Sequence, residues 1–232
     1  MPEYIFDEPV AVIGDIHGCA ELLEKLLPLV GDRPILCLGD VGDRGPDTKR
    51  VLDILIEREA KGVLGNHDLW LRDLATKGIF DRIALSSVVG GLPTLVSYGF
   101  TRGEPKHIEA QASLIPREHA QWLESLPLIA GLTVLGEKFW LSHVGVPRLS
   151  GMNTLRPEEL IPFLLTLGEE GVLWSFEDPR VMRPADRPVI MGHRAFNEGL
   201  DLKHVICVDT GAGKGGSLSA LLLPEKVFVT VK

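Results

Sequence analysis

Short apolar runs recur along the chain, and each ends at a glycine or a polar residue: Val10 to Ile13, Ile35 to Leu38, Gly62 to Leu64, Phe139 to Leu141, Val189 to Met191 and Val205 to Val208. Continuous rather than alternating apolar character predicts strands covered on both faces. Between the early runs, Leu22, Leu23, Leu26 and Leu27 repeat at helical spacing. Val51, Leu52, Leu55 and Ile56 suggest a second helix starting near Asp47 or Thr48, both good caps after Gly45-Pro46. Strand, helix, strand, helix, strand reads as βαβ units and so as an α/β fold. Near the C-terminus, Ser217 to Leu223 and Val227 to Val231 flank Pro224-Glu225-Lys226 and predict an antiparallel hairpin. Residues 82–130 break the pattern, punctuated by Gly90-Gly91, Pro93, Gly99, Gly103 and Pro105 and closing in a helix over Arg117 to Ser125. We read them as an irregular insertion over the core of one domain spanning 1–232.

Composition narrows the classes of function. The chain has 232 residues, 45% hydrophobic and 24% charged, enough to bury one sizeable core. Its 24 basic against 32 acidic residues give a net charge of −8 with no basic run, which argues against a nucleic-acid polymer or a membrane surface as partner. Cys19, Cys37 and Cys207 are widely spaced and form no CxxC pair, so neither a disulfide framework nor a thiolate zinc site is expected, and a reducing cytoplasm fits. Met1 to Asp7 carries no apolar leader, and no apolar run approaches the roughly 20 residues that span a bilayer.

Five of the apolar runs open into chemistry. Asp15 and His17 follow the first, Asp40, Asp43 and Arg44 the second, and Asn66 and His67 the third, while His143 and His193 follow two later ones. The carboxyl ends of strands in an open α/β sheet face a shared crevice, so these side chains can converge from distant positions. Carboxylate, imidazole and amide oxygen without sulfur suit two divalent cations of the Mn, Fe, Zn or Ni kind. Plainer readings stand beside this one. Asp15 and Asp40 could be helix N-caps, His17 or His193 structural histidines, Asn66 a left-handed turn residue, and Arg44 a surface partner of Asp43 or Asp47. Asp209-Thr210-Gly211 reads as a turn with no catalytic role.

Taken in order, Asp15-Ile16-His17, Gly39-Asp40-Val41-Gly42-Asp43-Arg44, Gly65-Asn66-His67-Asp68, His143 and His193 resemble the calcineurin-like metallophosphoesterases, whose pattern is D-x-H, G-D-x-x-D-R, G-N-H-D/E and two further histidines. The resemblance runs from Val12 to about Leu222, is weakest over 82–130, and is nearest the phosphoprotein phosphatase type, which includes serine/threonine phosphatases and bacterial diadenosine tetraphosphatases. It implies an α/β/β/α sandwich of two mixed sheets flanked by helices. It also implies a binuclear metal-dependent phosphoric ester or anhydride hydrolase, in which metal-bound hydroxide attacks phosphorus. Asp15 and His17 would hold one metal, Asp40 would bridge, and Asn66, His143 and His193 would hold the second. Asp43 and His67 would form an acid dyad, and Arg44 with Asn66 would bind phosphate. Manganese is the expected metal.

The substrate expected is a phosphorylated small molecule or a phosphoprotein; oligomeric state is not indicated. Gly65-Asn66-His67-Asp68 before Leu69, Gly192-His193-Arg194-Ala195 with Glu198-Gly199, and Asp209-Thr210-Gly211 with Gly215-Gly216 lean toward bis(5'-nucleosyl)-tetraphosphatases. Asp43 fits the serine/threonine protein phosphatase form of the dyad, the alternative; the non-enzyme alternative is a catalytically silent metal-binding protein. Two features depart from the family. Trp174-Ser175-Phe176 has phenylalanine where a second phosphate-binding arginine often stands, leaving Arg180, Arg183 and Arg194 as candidates. Gly42 replaces a larger apolar residue, which predicts a looser loop. Trp70, Trp122 and Tyr98 are candidates to stack on a nucleobase.

Overall fold

The computed structural model describes residues 1–101 and 103–232. Its strands are β1 (Glu3–Phe6), β2 (Val10–Ile13), β3 (Ile35–Cys37), β4 (Lys61–Gly62), β5 (Ile129–Val134), β6 (Glu137–Ser142), β7 (Val189–Met191), β8 (Leu200–Asp201), β9 (Val205–Cys207), β10 (Leu218–Leu223) and β11 (Val227–Val231). The α-helices are α1 (Ala20–Val30), α2 (Thr48–Glu57), α3 (Asp68–Lys77), α4 (Leu92–Ser97), α5 (Pro105–Glu109), α6 (Arg117–Ser125), α7 (Pro157–Thr166) and α8 (Gly168–Leu173). One sheet runs β1-β5-β6-β7-β9-β8 and the other β11-β10-β2-β3-β4. In the second sheet β2, β3 and β4 are parallel, while β10 joins β2 and β11 antiparallel, so both sheets are mixed.

The continuous apolar runs have a direct physical reason. Successive side chains of a strand point to opposite faces, and here both faces are covered. Val10, Val12, Leu36, Leu38, Leu221 and Leu223 pack against Leu132, Phe139, Leu141 and Ile190 between the sheets. Ala11, Ile13, Ile35 and Cys37 point the other way, onto Leu23 and Leu26 of α1 and Leu52 and Leu55 of α2. On the outer face of the other sheet, Ile129, Trp140 and Val189 are covered by Leu160, Ile161, Leu164 and Val172 of α7 and α8. The result is the α/β/β/α sandwich. Asp47 caps α2 by accepting from Arg50 N at 3.0 Å.

Some boundaries differ from the pattern-based expectation. The run at Gly62 to Leu64 pairs as a strand only over Lys61–Gly62, because Val63 N still bonds Cys37 O (3.0 Å) but Leu64 N turns to Pro127 O (2.9 Å). Strand β1 is a half-exposed edge whose short alternating segment carries little apolar signal, and β5 is interrupted by Gly131. Residues 82–130 are mostly short helices. Leu95, Tyr98, Phe100, Ile108, Ile115 and Leu123 join the core built on α1, α2 and α3.

Candidate metal centre

The chemistry-bearing side chains leave the carboxyl ends of β2, β3, β4, β6 and β7, so the site lies across the ends of both sheets. Their backbone is unusual. Nine non-glycine residues among those described have positive φ, and five of them are His17 (49°), Asp40 (50°), Asp43 (71°), Arg44 (65°) and His193 (64°). Such conformations cost of order 1–3 kcal/mol each and persist only where surrounding bonds fix them. Here His17 N bonds Asp40 O (2.9 Å) and Gly18 N bonds Val41 O (2.8 Å). The buried Asp68 carboxylate accepts from Asp40 N (2.9 Å), Val41 N (2.9 Å) and Gly65 N (2.8 Å), stapling the second loop to the third. Burial, then the Asp40 charge, pushes the Asp68 carboxyl up to about 7 against the pull of its N–H donors. At Gly65 any Cβ would collide with Asp40, so the close approach requires glycine. Helix α1 is preceded by Cys19 and α2 by Asp47, which leaves Asp15 and Asp40 without a capping role.

Three ligand atoms converge near Asp40 Oδ1. Asn66 Oδ1, His143 Nε2 and His193 Nδ1 lie 3.0–3.1 Å from one another, and His143 Nε2 is 3.4 Å from Asp40 Oδ1. Octahedral bonds of about 2.1 Å place adjacent ligands about 3.0 Å apart, so the set fits one small divalent cation. His143 is oriented from behind, its Nδ1–H donating to Leu38 O at 2.7 Å, which turns Nε2 to the cluster. Burial pulls the His193 imidazole down to about 3, aided by the His143 charge, so it is neutral as a ligand must be. Burial would also lower His143, but Asp40 and Asp15 raise it to about 10. A cation at this point competes with that proton. Burial alone would raise Asp40, yet the His143 and His67 imidazoles hold it well below the usual carboxylate range.

The other side of Asp40 is arranged differently. His17, Asp40 and His67 bring a second set of ligand atoms within 4.8 Å of one another. His17 Nδ1–H donates to Gly42 O at 2.9 Å, leaving Nε2 3.6 Å from Asp40 Oδ2. Gly42 O therefore orients the His17 ring, so this glycine is a fixed point of the loop. Burial holds His17 down at about 3, with Arg44 adding to the effect. Asp15 belongs to neither group of converging atoms; both its oxygens accept from His193 N, at 3.0 and 2.9 Å. Burial and the nearby Asp209 charge raise its carboxyl well above the usual range.

His67 and Asp43 are joined directly. His67 Nδ1–H donates to Asp43 Oδ2 at 2.8 Å, and the same carboxylate accepts from Trp70 Nε1 (3.0 Å) and Thr94 Oγ1 (3.1 Å). Arg44 spans the pocket rather than a surface pair. Its Nη2 donates to His67 Nε2 at 2.8 Å and its Nη1 contacts His17 Nε2.

The candidates for a second arginine all turn elsewhere. Arg180 pairs with Asp178, Arg183 donates to the Met152 and Leu155 carbonyls, and Arg194 to Phe176 O. The three aromatic candidates are likewise committed: Trp70 to Asp43, Trp122 Nε1 to Ala60 O, and Tyr98 Oη to His119. The aromatics over Asp40 are Trp174 and Phe176, the latter with its ring 4.6 Å from that of His193, and Trp70 joins Trp174 in lining the continuation of the cleft past His67. Asp209, read from the sequence as part of a turn, also lies beside the site. It forms the expected turn, accepting from Gly211 N at 2.8 Å, but it is buried beside Asp15 and Asp40. Its place after the strand Val205–Cys207 was the available signal.

The sequence profile of the calcineurin-like phosphoesterases matches residues 8–213. The chain is 26% identical over 242 residues to an asymmetrical bis(5'-nucleosyl)-tetraphosphatase, PrpE, of Oceanobacillus iheyensis, spanning 96% of this chain and 91% of that protein. It is 29% identical over 267 residues to a symmetrical bis(5'-nucleosyl)-tetraphosphatase of Chromobacterium violaceum, over 94% and 92% of the two. Among solved structures, a candidate diadenosine tetraphosphatase superposes with a TM-score of 0.63 at 22% identity, covering 99% of this chain and 97% of that one. A serine/threonine phosphatase of Saccharomyces cerevisiae superposes at 0.55 with 18% identity, over 100% and 83%. At these identities the structural likeness speaks for the fold.

Proposed function

Since the chain belongs to the calcineurin-like phosphoesterase family, we propose that it is a cytoplasmic, binuclear manganese hydrolase acting on the anhydride bonds of a bis(5'-nucleosyl) tetraphosphate. The observation that carries this reading is the convergence of Asn66, His143 and His193 on Asp40, with His67, Asp43 and Arg44 on its open side. Relatives named as tetraphosphatases along nearly the whole chain support the substrate class. The all-nitrogen-and-oxygen ligand set suits manganese. Three free cysteines support a reducing compartment such as the cytoplasm.

In this reading Asn66, His143 and His193 would hold one cation and Asp15 and His17 would contribute to the other, with Asp40 serving both. Two bound cations supply an acidified water and neutralise phosphoryl oxygens. The protein does the rest. Arg44, whose terminal nitrogens face the cleft between His17 and His67, donates to the phosphate oxygens, and the Asn66 amide nitrogen is free to do so while Oδ1 stays with the ligands. Asp43 fixes the His67 ring through Nδ1 and so aims Nε2 at the cleft, where it can give a proton to the departing oxygen, a contribution of about 10²- to 10⁴-fold.

The second reading, a serine/threonine protein phosphatase, is favoured by one feature: past His67 the cleft is lined by Asp73, Asp81, Glu169 and Glu170, which would suit a basic peptide. The complete ligand set and dyad weigh against a catalytically silent metal-binding protein. The test is hydrolysis by the manganese-loaded protein of a diadenosine polyphosphate, a phosphopeptide and an aryl phosphate, with bound metal counted by mass spectrometry. Two metals per chain and preference for the dinucleotide are expected. Preference for the phosphopeptide overturns the substrate, and inactivity on all three overturns the hydrolase.

A further inference from the structure

The cleft over Asp40 has a volume of about 450 Å³, and among its lining residues is a cation with no place in the site so far, Lys214. It lies on the turn Ala212–Lys214 that follows Asp209-Thr210-Gly211. That turn is held close to the metal ligands. Gly213 lies against the His17 ring, where an added Cβ would come within 2.6 Å of His17 Cβ, and Gly216 N and Ser217 N close the loop on Gly211 O (2.9 Å) and Thr210 O (3.1 Å). The Lys214 charge is felt at Asp209, at the root of the same loop. Arg180, Arg183 and Arg194 are all turned to other partners. Among the described residues lining this cleft, Arg44 and Lys214 are the lysine and arginine side chains.

Charge along the cleft is therefore graded. Past His67 it continues into a cavity of about 470 Å³ lined by Asp73, Asp81, Glu169 and Glu170; Arg72 pairs with Asp73 and Glu169, while Asp81 and Glu170 form no ion pair among the described residues. A phosphate chain laid in that direction meets carboxylates, and one laid toward Gly213 meets an ammonium. We propose that Lys214 is a second anion-binding residue of this site, holding the phosphate next to the one that is hydrolysed. The proposal rests on the phosphohydrolase reading above and narrows its substrate to a phosphoanhydride chain with at least two adjacent phosphates. An ammonium on a flexible stem suits this role, since it meets the chain as a point charge without demanding one planar geometry.

The test separates the residue from the reaction by reading binding. Titration calorimetry with ADP and with AMP, at one fixed free Mn²⁺ concentration, compares the wild type with Lys214→Ala and Lys214→Arg; thermal melting confirms that both variants fold. One charge-assisted contact predicts about a tenfold preference for ADP due to Lys214. That preference is expected in the wild type, largely kept in Lys214→Arg and lost in Lys214→Ala, while AMP affinity changes less than about twofold. An equal ADP-to-AMP ratio in wild type and Lys214→Ala overturns the proposal, as does an equal loss of both ligands. Hydrolysis of the diadenosine and aryl substrates tests the other reading separately. A wild type that binds ADP through Lys214 yet cleaves nothing would sink the function and leave this residue's role standing.

Discussion

The strand-exit cluster and the 82–130 segment meet at Asp43, which takes its backbone from the first and a hydroxyl partner, Thr94 of α4, from the second. At the strand exits five site residues sit on left-handed backbone, fixed by short hydrogen bonds from neighbouring loops. In residues 82–130 short helices are held mainly by apolar packing on α2 and α3, with a few buried polar contacts such as His119 to Asp53 and Tyr98. Position in the cluster is dictated by the backbone, so a changed side chain there leaves the frame standing and removes chemistry. In the segment the same kind of change acts mainly on the frame, and it reaches the chemistry through the Thr94 hydroxyl, through Gly90 O, which accepts from Arg44 N at 2.8 Å, and through Ser87, Val88 and Val89 at the cleft wall.

The sharpest break is at Asp40, the side chain common to both groups of ligand atoms. Asp40→Ala should cut kcat by at least about 10³-fold, and metal counting should find fewer than two manganese ions per chain. Two tightly held ions in that variant would show that Asp40 does not join the sites. Next comes His67→Asn, expected to cost about 10²- to 10⁴-fold with poor leaving groups and far less with activated aryl phosphates. A flat dependence across a leaving-group series would remove its role as the acid. His67→Asn should melt near the wild type, whereas metal-free Asp40→Ala should melt lower, because Asp40 Oδ1 accepts from buried His67 N at 2.9 Å and pairs with buried His143.

Thr94→Val carries the comparison across the boundary. The hydroxyl accepts from Asp43 N (2.9 Å), donates to Asp43 Oδ1 (3.1 Å) and meets Thr48 Oγ1 (2.8 Å), all buried. Leaving these groups unpaired should cost about 1–3 kcal/mol of stability. Freed on one side, Asp43 should orient His67 less well, lowering kcat about tenfold with KM unchanged. Loss of stability without loss of kcat would confine the segment to a structural role.

How much of this was legible follows the same division. The exits could be read because each apolar run is short and ends in glycine, so Asp15, Asp40, Asn66, His143 and His193 declared their shared end of the sheets. What the pattern did not carry was the reach of one loop to another. The Asp68 staple and the turn of Asp15 toward His193 N join positions 27 to 178 residues apart, which no local spacing encodes. Residues 82–130 hid for another reason. Outside Arg117–Ser125, a helix the sequence predicts with these bounds, glycine and proline punctuate helices of five and six residues there, too short to display a period, although Thr94 sits in one of them. Trp70 and Tyr98 showed only as aromatics, and their indole and hydroxyl partners, Asp43 and His119, set their roles.

The smallest expected effect lies wholly on the segment side. His119 of α6 is buried between Tyr98 Oη and Asp53 Oδ1, each at 2.9 Å, with Lys49 and Glu118 the other charges that act on it. Burial lowers its pKa, and Asp53 opposes the shift without overcoming it. The folded value lies below the unfolded one, so folding favours the neutral ring. That contribution is complete above about pH 6.5 and is lost as pH falls through the folded value. Asp53, whose own carboxyl is held low despite partial burial by Lys49 and His119, weakens only further down, in the carboxylate range. Melting temperatures of the manganese-free protein between pH 7.5 and 5 should therefore fall more steeply for the wild type than for His119→Gln, by a few degrees. Parallel curves would show that His119 does not titrate in this window, and would place any acid sensitivity of the fold at the strand-exit histidines instead.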